Sequence, residues 1–262
     1  MQRPAHPSIL PAERQRKILD ALRDNGGVTV EGLVRLLNVS ESTVRRDLEQ
    51  LGEKKLLSRT HGGAVLPDFS TAFEASYAEK MMRHLEEKKR IGAAAAQMVA
   101  DGETLILDSG STTYEVAKSI ASLKHLKIIT YDLMIAGSVD YDSTNAVILT
   151  GGLVRRGFDL VVGSDTENFF RNVRVNKAFL GVDSFDLEQG IFNATLEEAA
   201  VKKVILEAAR EVVVVTDHSK FGKTALAKVC DLGRIHRIIT GKELDVSYQQ
   251  ALRLAGIDLR LV

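Results

Sequence analysis

The chain has 262 residues, of which 45% are hydrophobic, and its 35 basic side chains are balanced by 35 acidic ones. This is the composition of an ordinary globular protein of one or two domains, without an apolar run near the roughly 20 residues of a membrane span and without a signal-peptide pattern. The single cysteine, Cys230, excludes an internal disulfide and a cysteine-cluster metal site. We therefore expect a cytoplasmic protein with no membrane partner, no metal and no cofactor.

The charge is distributed unevenly along the chain. Residues 1–67 hold 11 Lys and Arg against 8 Asp and Glu, whereas the remainder holds 24 against 27. A positive excess in the N-terminal part is the sign expected if only that part meets nucleic acid. Because the excess is small, we expect a homo-oligomer, a dimer or tetramer, to bind DNA with more than one copy.

The first 65 residues predict three helices followed by a hairpin. A helix over residues 13–24 would bury Ile18, Leu19 and Leu22, and a second over 29–38 carries one apolar stripe. Ser40 is a suitable N-cap for a third helix. The apolar side chains expected to face inward from the second and third helices are Val30, Leu33, Val34, Leu37, Val44, Leu48 and Leu51.

The outer face of the third helix has the side chains that a DNA major groove accepts. Serine, threonine and arginine in its first turns can reach base edges and phosphates. Residues 56–65 predict two short strands around Gly62 and Gly63, and would complete a winged helix-turn-helix. Because any helical hairpin has solvated arginines, the prediction of DNA binding depends on the combination of the three helices with the hairpin. The candidate residues for binding double-stranded operator DNA are Ser42, Thr43, Arg45, Arg46, Arg59 and His61.

The pattern changes after the hairpin. Residues 67–84 are expected to be a linker between a DNA-binding domain over 1–66 and a second domain over 85–262, with Phe73 and Tyr77 spaced to dock on a surface. A helix is predicted over residues 88–100. Aliphatic strands alternating with helices then predict a mostly parallel sheet covered on both faces, hence an α/β fold. The predicted strands are 104–107, 127–130, 146–149, 177–181, 212–215 and 237–240.

Polar loops follow four of these strands, and ligands bind at the carboxyl ends of parallel strands. The loop after the first strand precedes a helix and offers hydroxyls, backbone N–H groups and a helix dipole to a phosphate or carboxylate. A tight turn that ends in an N-cap residue would give the same sequence pattern. The loop is not a nucleotide P-loop, because no lysine follows at the required spacing. The other three loops contain Gly151 and Gly152, Asp183, and Lys220. Taken alone, each of these loops is explained by a turn or by a solvated lysine.

Several motifs together resemble the DeoR family of bacterial transcriptional repressors. The N-terminal marks are residues 42–48 and 59–64, and the C-terminal marks are residues 108–113, 150–152, 177–183, 196–202 and 219–222. The resemblance covers about residues 12–242 in order. It implies a sensor domain similar to ribose-5-phosphate isomerase, which would bind a phosphorylated sugar or related catabolic intermediate and thereby release the operator of a carbohydrate catabolic operon.

The resemblance also implies which residues face the effector. Residues 109–113 match the family's phosphate loop, Asp183 and Lys202 match positions facing the sugar in the enzyme relatives, and Lys220 matches a late Ser-Lys motif. Tyr131 replaces the commoner asparagine and would narrow the pocket or stack on a ligand. The candidate effector-binding residues are Asp108, Ser109, Gly110, Ser111, Thr112, Thr113, Tyr131, Gly151, Gly152, Asp183, Lys202 and Lys220.

Two alternatives are kept. The second domain would be an isomerase-like or deaminase-like enzyme if Asp183, Glu198 and Lys202 supplied acid and base, which requires hydrogen-bond reach to the proton being moved. On an amphipathic helix, however, a glutamate and a lysine four residues apart are more often a surface pair, so we expect no catalytic residues. In the other alternative, the domain only holds the DNA-binding heads together.

Overall fold

A computed structural model gives the structure of the chain. It describes residues 9–25, 27–54, 56–60, 62–65 and 77–262. The chain divides into two compact units, Met1–Ser70 and Thr71–Val262. His61 and Phe73, which the sequence singled out, lie outside the described residues.

The first unit has three helices and a small sheet. Its elements are α1 (Pro11–Asn25), β1 (Gly27–Thr29), α2 (Val30–Leu37), α3 (Glu41–Glu53), β2 (Ser58–Thr60) and β3 (Gly63–Val65). The predicted helices and hairpin are confirmed. The strand β1 was not predicted; it pairs antiparallel with β3 and makes a three-stranded sheet in the order β1-β3-β2.

The turn between α2 and α3 follows from two polar residues. Asn38 ends α2 in the left-handed conformation, at φ 51°, which asparagine tolerates better than most residues. Ser40 then caps α3, since its side chain accepts a hydrogen bond from the Thr43 backbone N–H at 3.3 Å. The turn therefore fixes the direction in which α3 leaves α2.

One apolar core holds the three helices together. Ile18 and Leu22 of α1 meet Leu33 of α2 and Val44 and Leu48 of α3, all essentially inaccessible to solvent. The predicted inward stripe is thus confirmed, apart from Leu19 and Val34, which are only partly buried.

The second unit is an α/β domain. Its elements in chain order are α4 (Tyr77–Met82), α5 (Leu85–Ala96), β4 (Thr104–Leu107), α6 (Ser111–Ile120), β5 (Lys127–Thr130), α7 (Leu133–Gly137), β6 (Ala146–Leu149), β7 (Leu153–Arg155), β8 (Leu160–Val162), α8 (Ser164–Arg171), β9 (Val175–Leu180), β10 (Ser184–Asp186), β11 (Gly190–Asn193), α9 (Leu196–Ala208), β12 (Ala209–Val215), β13 (Ala227–Cys230), β14 (Arg237–Thr240), α10 (Val246–Leu254) and β15 (Asp258–Leu261). Seven strands form one sheet in the order β15-β14-β12-β9-β4-β5-β6, and every pair in it is parallel.

Alternate residues of the central strands face opposite layers. Leu105 and Leu107 of β4 pack in one core with α5 and α6, whereas Ile106 packs in the other with α8 and α9. Because both faces are covered, the strands are aliphatic without alternation, which is the pattern that predicted a parallel sheet. Cys230 is buried, and burial raises the pKa of its thiol to about 11, which fits a structural thiol.

Four parts of the second unit differ from the prediction. The first predicted helix runs from Leu85 to Ala96 rather than over 88–100, and β15 was not predicted. The short sheets β7-β8 and β10-β11-β13 were also missed. Residues 77–82, placed in the linker, form α4, and Tyr77 is buried.

Among the described residues, no helix is both long enough and apolar enough to cross a bilayer.

Candidate DNA-reading surface and sensor cavity

The N-terminal half of α3 presents polar side chains to solvent. Ser42, Arg45 and Arg46 are exposed, and Thr43 is half-buried. The Ser40 hydroxyl lies 2.9 Å from that of Ser42 and 2.8 Å from that of Thr43. The cap of the helix therefore also positions two hydroxyls at the end of the helix that would approach base edges.

The two neighbouring arginines of α3 differ in their partners. Arg45 donates from Nε and Nη2 to the same Glu41 oxygen, at 2.9 and 2.6 Å. Arg46 has no ion-pair partner among the described residues. An arginine whose five donors are uncommitted is the better candidate for a bidentate contact to guanine.

The wing is linked to α3 through Arg59. Its Nη1 lies 3.7 Å from Glu49 Oε1, and its side-chain stem lies against Gly52. Both charged groups are about half exposed, so the pair is weak and phosphate can displace it. Asp47 faces the core instead, where Arg14 of α1 donates to both its oxygens.

An open cavity lies at the carboxyl ends of β4, β9 and β12. It belongs wholly to the second unit. Its lining residues are Tyr77, Lys80, Ser109, Gly110, Ser111, Thr112, Thr113, Phe158, Leu160, Gly181, Val182, Asp183, Asn193, Glu198, Lys202, Asp217 and Lys220. Three of the four polar loops that the sequence singled out therefore meet here.

The start of α6 forms one wall of this cavity. Gly110 is its N-cap at φ 138°, and no side chain among the described residues caps the helix. The Thr113 hydroxyl donates to the Gly110 carbonyl oxygen at 2.8 Å, so it is already used. The backbone N–H groups and hydroxyls of Ser111 and Thr112 remain for a ligand, in the positive field of the helix dipole.

Asp132 holds this loop from behind. It caps α7 by accepting from the backbone N–H groups of Met134 and Ile135 at 2.8 and 2.9 Å. Its other oxygen accepts from Ser109 Oγ at 2.9 Å and from the Gly110 N–H at 3.1 Å. Burial raises the pKa of Asp132 to about 6 against these hydrogen bonds. The first two donors of the expected phosphate loop thus serve Asp132 and do not point to a ligand.

Asp108 and Tyr131 lie beneath the cavity and do not line it. Asp108 accepts hydrogen bonds from the Tyr131 hydroxyl, from Lys202 Nζ and, at 2.8 Å, from the Gly181 N–H. Tyr131 is fully buried, with its ring edge-on to Phe170. The expectation that Tyr131 narrows the pocket or stacks on a ligand does not agree with this position. Its hydroxyl instead orients the carboxylate that holds Lys202.

Lys202 reaches the cavity floor from α9. It is 2% exposed, and its ammonium also donates to the Gly181 carbonyl oxygen at 2.8 Å. Glu198, one turn earlier, is 4% exposed; it accepts from Arg155 at 2.6 Å and from Asn193 Nδ2 at 2.9 Å. The expectation of a surface pair was wrong, because α9 packs between the sheet and β13 with both side chains directed inward.

Asp183 and Lys220 lie on opposite loops of the cavity. Asp183 accepts from Lys80 Nζ at 3.1 Å and from the Ala194 N–H at 3.0 Å. Burial opposes its ionisation, but the positive charges of Lys80 and Lys220 outweigh burial and hold its pKa below the ordinary value. Lys220 is half-buried, and no hydrogen bond or ion pair engages its ammonium among the described residues.

Gly151 and Gly152 do not line the cavity. Gly152 has φ 138°, and a Cβ there would lie 2.6 Å from Thr166 Oγ1 and 2.7 Å from the Val162 carbonyl oxygen. The Gly151 carbonyl oxygen accepts the Thr166 hydroxyl at 2.7 Å. The simpler reading of a strand-ending turn fits these glycines, since backbone geometry and close packing account for both.

His84, Glu87 and His218 form the one group of three candidate metal ligands in the described part of the chain, with donor atoms within 4.8 Å. Glu87 is buried, and its oxygens accept from the backbone N–H groups of His218 and Gly241, at 2.8 and 3.1 Å, and meet His218 Nδ1 at 2.7 Å. Because those bonds already use both oxygens, we interpret the group as a structural junction.

Sequence reasoning missed several residues that line or support the cavity. Asp132, which supports the loop from behind, follows the strand β5, so the rule that found the other strand-end loops would have found it. Tyr77, Lys80 and Asn193 carried no such signal. Lys80 meets Asp183 across 103 positions of the chain, and only the folded structure shows that proximity.

A search of solved structures matches part of the chain to ribose 5-phosphate isomerases. Ribose 5-phosphate isomerase A from Methanocaldococcus jannaschii aligns at a TM-score of 0.38 with 18% identity, over 52% of this chain and 54% of that one. The alignment spans about half of each protein.

Two family models match the chain in order. The DeoR-like helix-turn-helix domain matches residues 14–69, and the DeoR C terminal sensor domain matches residues 83–242. The HTH-type transcriptional regulator GlpR of Haloferax volcanii is 34% identical over 95% of this chain and 97% of its own length. The glycerol-3-phosphate regulon repressor of Escherichia coli K12 is 31% identical over 95% and 98%. Both relatives are named as transcriptional regulators, and the chain belongs to the DeoR family of DNA-binding transcriptional regulators.

Proposed function

We propose that the chain represses a carbohydrate catabolic operon, binds its operator as a homo-oligomer, and is released when the sensor cavity takes up a phosphorylated sugar or related intermediate. The name of the E. coli relative, a glycerol-3-phosphate regulon repressor, supports both the repression and the kind of regulon. The structure contributes the cavity, whose chemistry decides which class of small molecule is the best candidate.

The charge pairing in the cavity carries the proposal. Each lining acid has a cationic partner: Asp183 has Lys80 at 3.1 Å, Glu198 has Arg155 at 2.6 Å, and Asp217 has Lys88 at 3.9 Å. Lys202 is held by Asp108. The ammonium of Lys220 makes no ion pair within 4 Å in the part of the chain that the structure describes, although its charge lowers the pKa values of Asp183 and Asp217, and it lines the same cavity as the uncapped start of α6. A cation and a helix N-terminus together favour an anionic group such as phosphate.

The remaining lining groups suit a polyol. The carboxylate of Asp183 accepts hydrogen bonds, and the side-chain amide of Asn193 both donates and accepts them. Phe158 and Leu160 supply an apolar wall. A small molecule with a phosphate at one end and hydroxyls at the other would satisfy both halves of the cavity.

The test is a thermal-shift screen followed by a release assay. The screen compares glycerol 3-phosphate, ribose 5-phosphate and other sugar phosphates with the same compounds lacking phosphate. A ligand at 100 times its Kd should stabilise the folded protein by about 2.7 kcal/mol. The same ligand should then lower affinity for a duplex that the protein selects from a random library.

A purely oligomerising second domain predicts a different result from the same assays. In that case no compound in the screen raises the melting temperature, and none changes DNA affinity. A shift produced equally by the phosphorylated and unphosphorylated forms would contradict the anion site while leaving a sugar site.

A further inference from the structure

Helix α4 forms part of the cavity wall, although it directly follows residues 66–76, which join the two units. Tyr77 and Lys80 are three positions apart, so they lie on one face of the helix, and both line the cavity. The helix is docked on the second unit by burial of Tyr77 and by the Tyr77 N–H, which donates to the Gly157 carbonyl oxygen at 3.4 Å.

The two side chains differ in their access to a ligand. The Tyr77 hydroxyl is buried out of reach of the cavity, near the carboxylate of Asp132, so Tyr77 anchors α4 and does not contact a ligand through its hydroxyl. The Lys80 ammonium meets Asp183, and both side chains remain partly accessible from the cavity, at 18% and 19% exposed. A ligand anion in the cavity would therefore compete with Asp183 for Lys80.

The far end of α4 is tied to the sensor by a separate contact. Lys88 of α5 is 2% exposed, and its ammonium donates to the carbonyl oxygens of Lys80 and Arg83, each at 2.6 Å. Lys88 also lies 3.9 Å from Asp217, which lines the same cavity. The contacts of Tyr77 and Lys80 and the contact of Lys88 thus all involve residues that line the cavity or lie beside one that does.

We propose that α4 couples the sensor cavity to the DNA-binding unit, with the Lys80–Asp183 ion pair holding α4 in the DNA-binding state and the effector's anionic group breaking that pair. The proposal rests on the proposed function, since it takes an effector as given. Its physical basis is that a ligand shifts a conformational equilibrium only through contacts that differ between the two states. The Lys80 contact differs, because the same ammonium cannot be fully engaged by both anions.

The experiment separates effector binding from operator release in the full-length protein. Lys80→Met removes the charge but keeps a long, helix-compatible side chain. Lys80→Arg keeps the charge, and Lys89→Met removes a comparable charge at an exposed position on α5, where the lysine pairs with Glu86. The probes are glycerol 3-phosphate, ribose 5-phosphate and inorganic phosphate. Binding is measured by calorimetry, and operator affinity by anisotropy with and without each probe.

Wild-type protein, Lys80→Arg and Lys89→Met should each lose operator affinity on binding a probe, by a factor in the roughly 5- to 150-fold range of allosteric couplings. Lys80→Met should still bind the probe through α6, Lys202 and Lys220. Addition of the probe should, however, change the operator affinity of Lys80→Met by less than about twofold. Release of Lys80→Met with the wild-type dose dependence overturns the proposal. So does complete loss of probe binding in Lys80→Met, because Lys80 would then be only a ligand contact. If wild-type protein binds none of the probes, the proposed function fails first and the coupling falls with it.

Discussion

Neighbouring residues of one type have different chemistry when their partners differ, and the two arginines of α3 show this. Arg45 donates to Glu41 one turn earlier in an exposed pair that phosphate can displace, whereas Arg46 is exposed without an ion-pair partner in the described residues. We therefore propose that Arg46, together with Ser42, reads bases and that Arg45 and Arg59 of the wing contact phosphates.

The first prediction concerns these roles. Arg46→Ala should relax discrimination at one base pair by roughly 1–3 kcal/mol, because it removes a bidentate contact to a base edge. Arg59→Ala should instead weaken binding to all sequences alike and reduce the salt slope by about one unit. Both are measured by anisotropy on selected and random duplexes over a salt series, with the exposed Arg35→Ala of α2 as control. Equal losses on the two duplexes for Arg46→Ala would refute its base-reading role.

The second prediction concerns Asp132. Burial raises its folded-state pKa to about 6 from the ordinary 3.8, so between these values the folded protein binds more protons than the unfolded chain. The free energy of unfolding should therefore fall as pH rises from about 4 to 6, by up to about 3 kcal/mol, and then level off. Urea unfolding of wild-type protein against Asp132→Asn isolates this contribution.

A control for Asp132 is available on α10. Asp245 is likewise a helix N-cap but is exposed, and its pKa is lowered by hydrogen bonds from the Ser247 hydroxyl and N–H. Asp245→Asn should not remove the fall in stability between pH 4 and 6. If Asp132→Asn follows the wild-type pH profile, the carboxylate beneath the loop does not titrate in this range.

At the scale of elements, the wing depends on a close approach between strands. A Cβ on Gly63 would lie 1.9 Å from the Val28 carbonyl oxygen, so β3 can pair with β1 only if that position carries no side chain. This explains why the predicted hairpin acquires a third strand.

The third prediction follows from that contact. Gly63→Ala should destabilise the first unit by about 1–3 kcal/mol, the usual cost of overpacking, and weaken DNA binding with it. Gly62→Ala is the matched control, since a Cβ on the adjacent Gly62 meets nothing within 4 Å. Denaturant unfolding and DNA titration of both variants provide the test. Comparable stability of the two variants would show that the β1–β3 contact is not tight in solution.

Elements with strong local signals were predictable from the sequence, and contacts between distant segments were not. The 3.6-residue stripe of α3 and the aliphatic runs of β4 and β12 depend only on neighbouring residues. The positions of Tyr131 and Lys202 depend on Asp108, which lies 23 and 94 residues away from them along the chain. Periodicity along the chain cannot show which side chains will be buried in such a cluster and will therefore not line the cavity.

At the scale of the whole molecule, the first unit holds the DNA-binding domain and the second unit holds the sensor domain. The first unit has its own core, built from α1, α2 and α3, and because its positive excess is small we expect it to have little general affinity for DNA. Two heads joined through their second units would dock on spaced half-sites, and effective concentration would raise the affinity without new contacts.

The fourth prediction is that a fragment of residues 1–67 folds but binds a single half-site weakly. The full chain should bind a two-half-site operator about 10²- to 10⁴-fold more tightly, the usual gain from linking two modules. Circular dichroism establishes folding, and sedimentation with anisotropy gives stoichiometry and affinity. Tight operator binding by a monomeric fragment would contradict the model of assembled heads.

The central claim is that an anion bound at the start of α6 releases the operator, and a fixed negative charge there tests it most directly. Ser111→Asp places a carboxylate at the first residue of α6, where aspartate suits a helix start. Ser164→Asp is the matched control. Ser164 is also the first residue of a helix that has a glycine of positive φ as its N-cap and no side-chain cap, but it does not line the cavity. The measurement is operator affinity as a function of the sugar phosphate that releases the wild-type protein. We predict that Ser111→Asp binds the operator normally and is no longer released, while Ser164→Asp is released as in wild type. Release of a folded Ser111→Asp protein with the wild-type dose dependence would contradict the account, because the phosphate would then have to bind away from the start of α6.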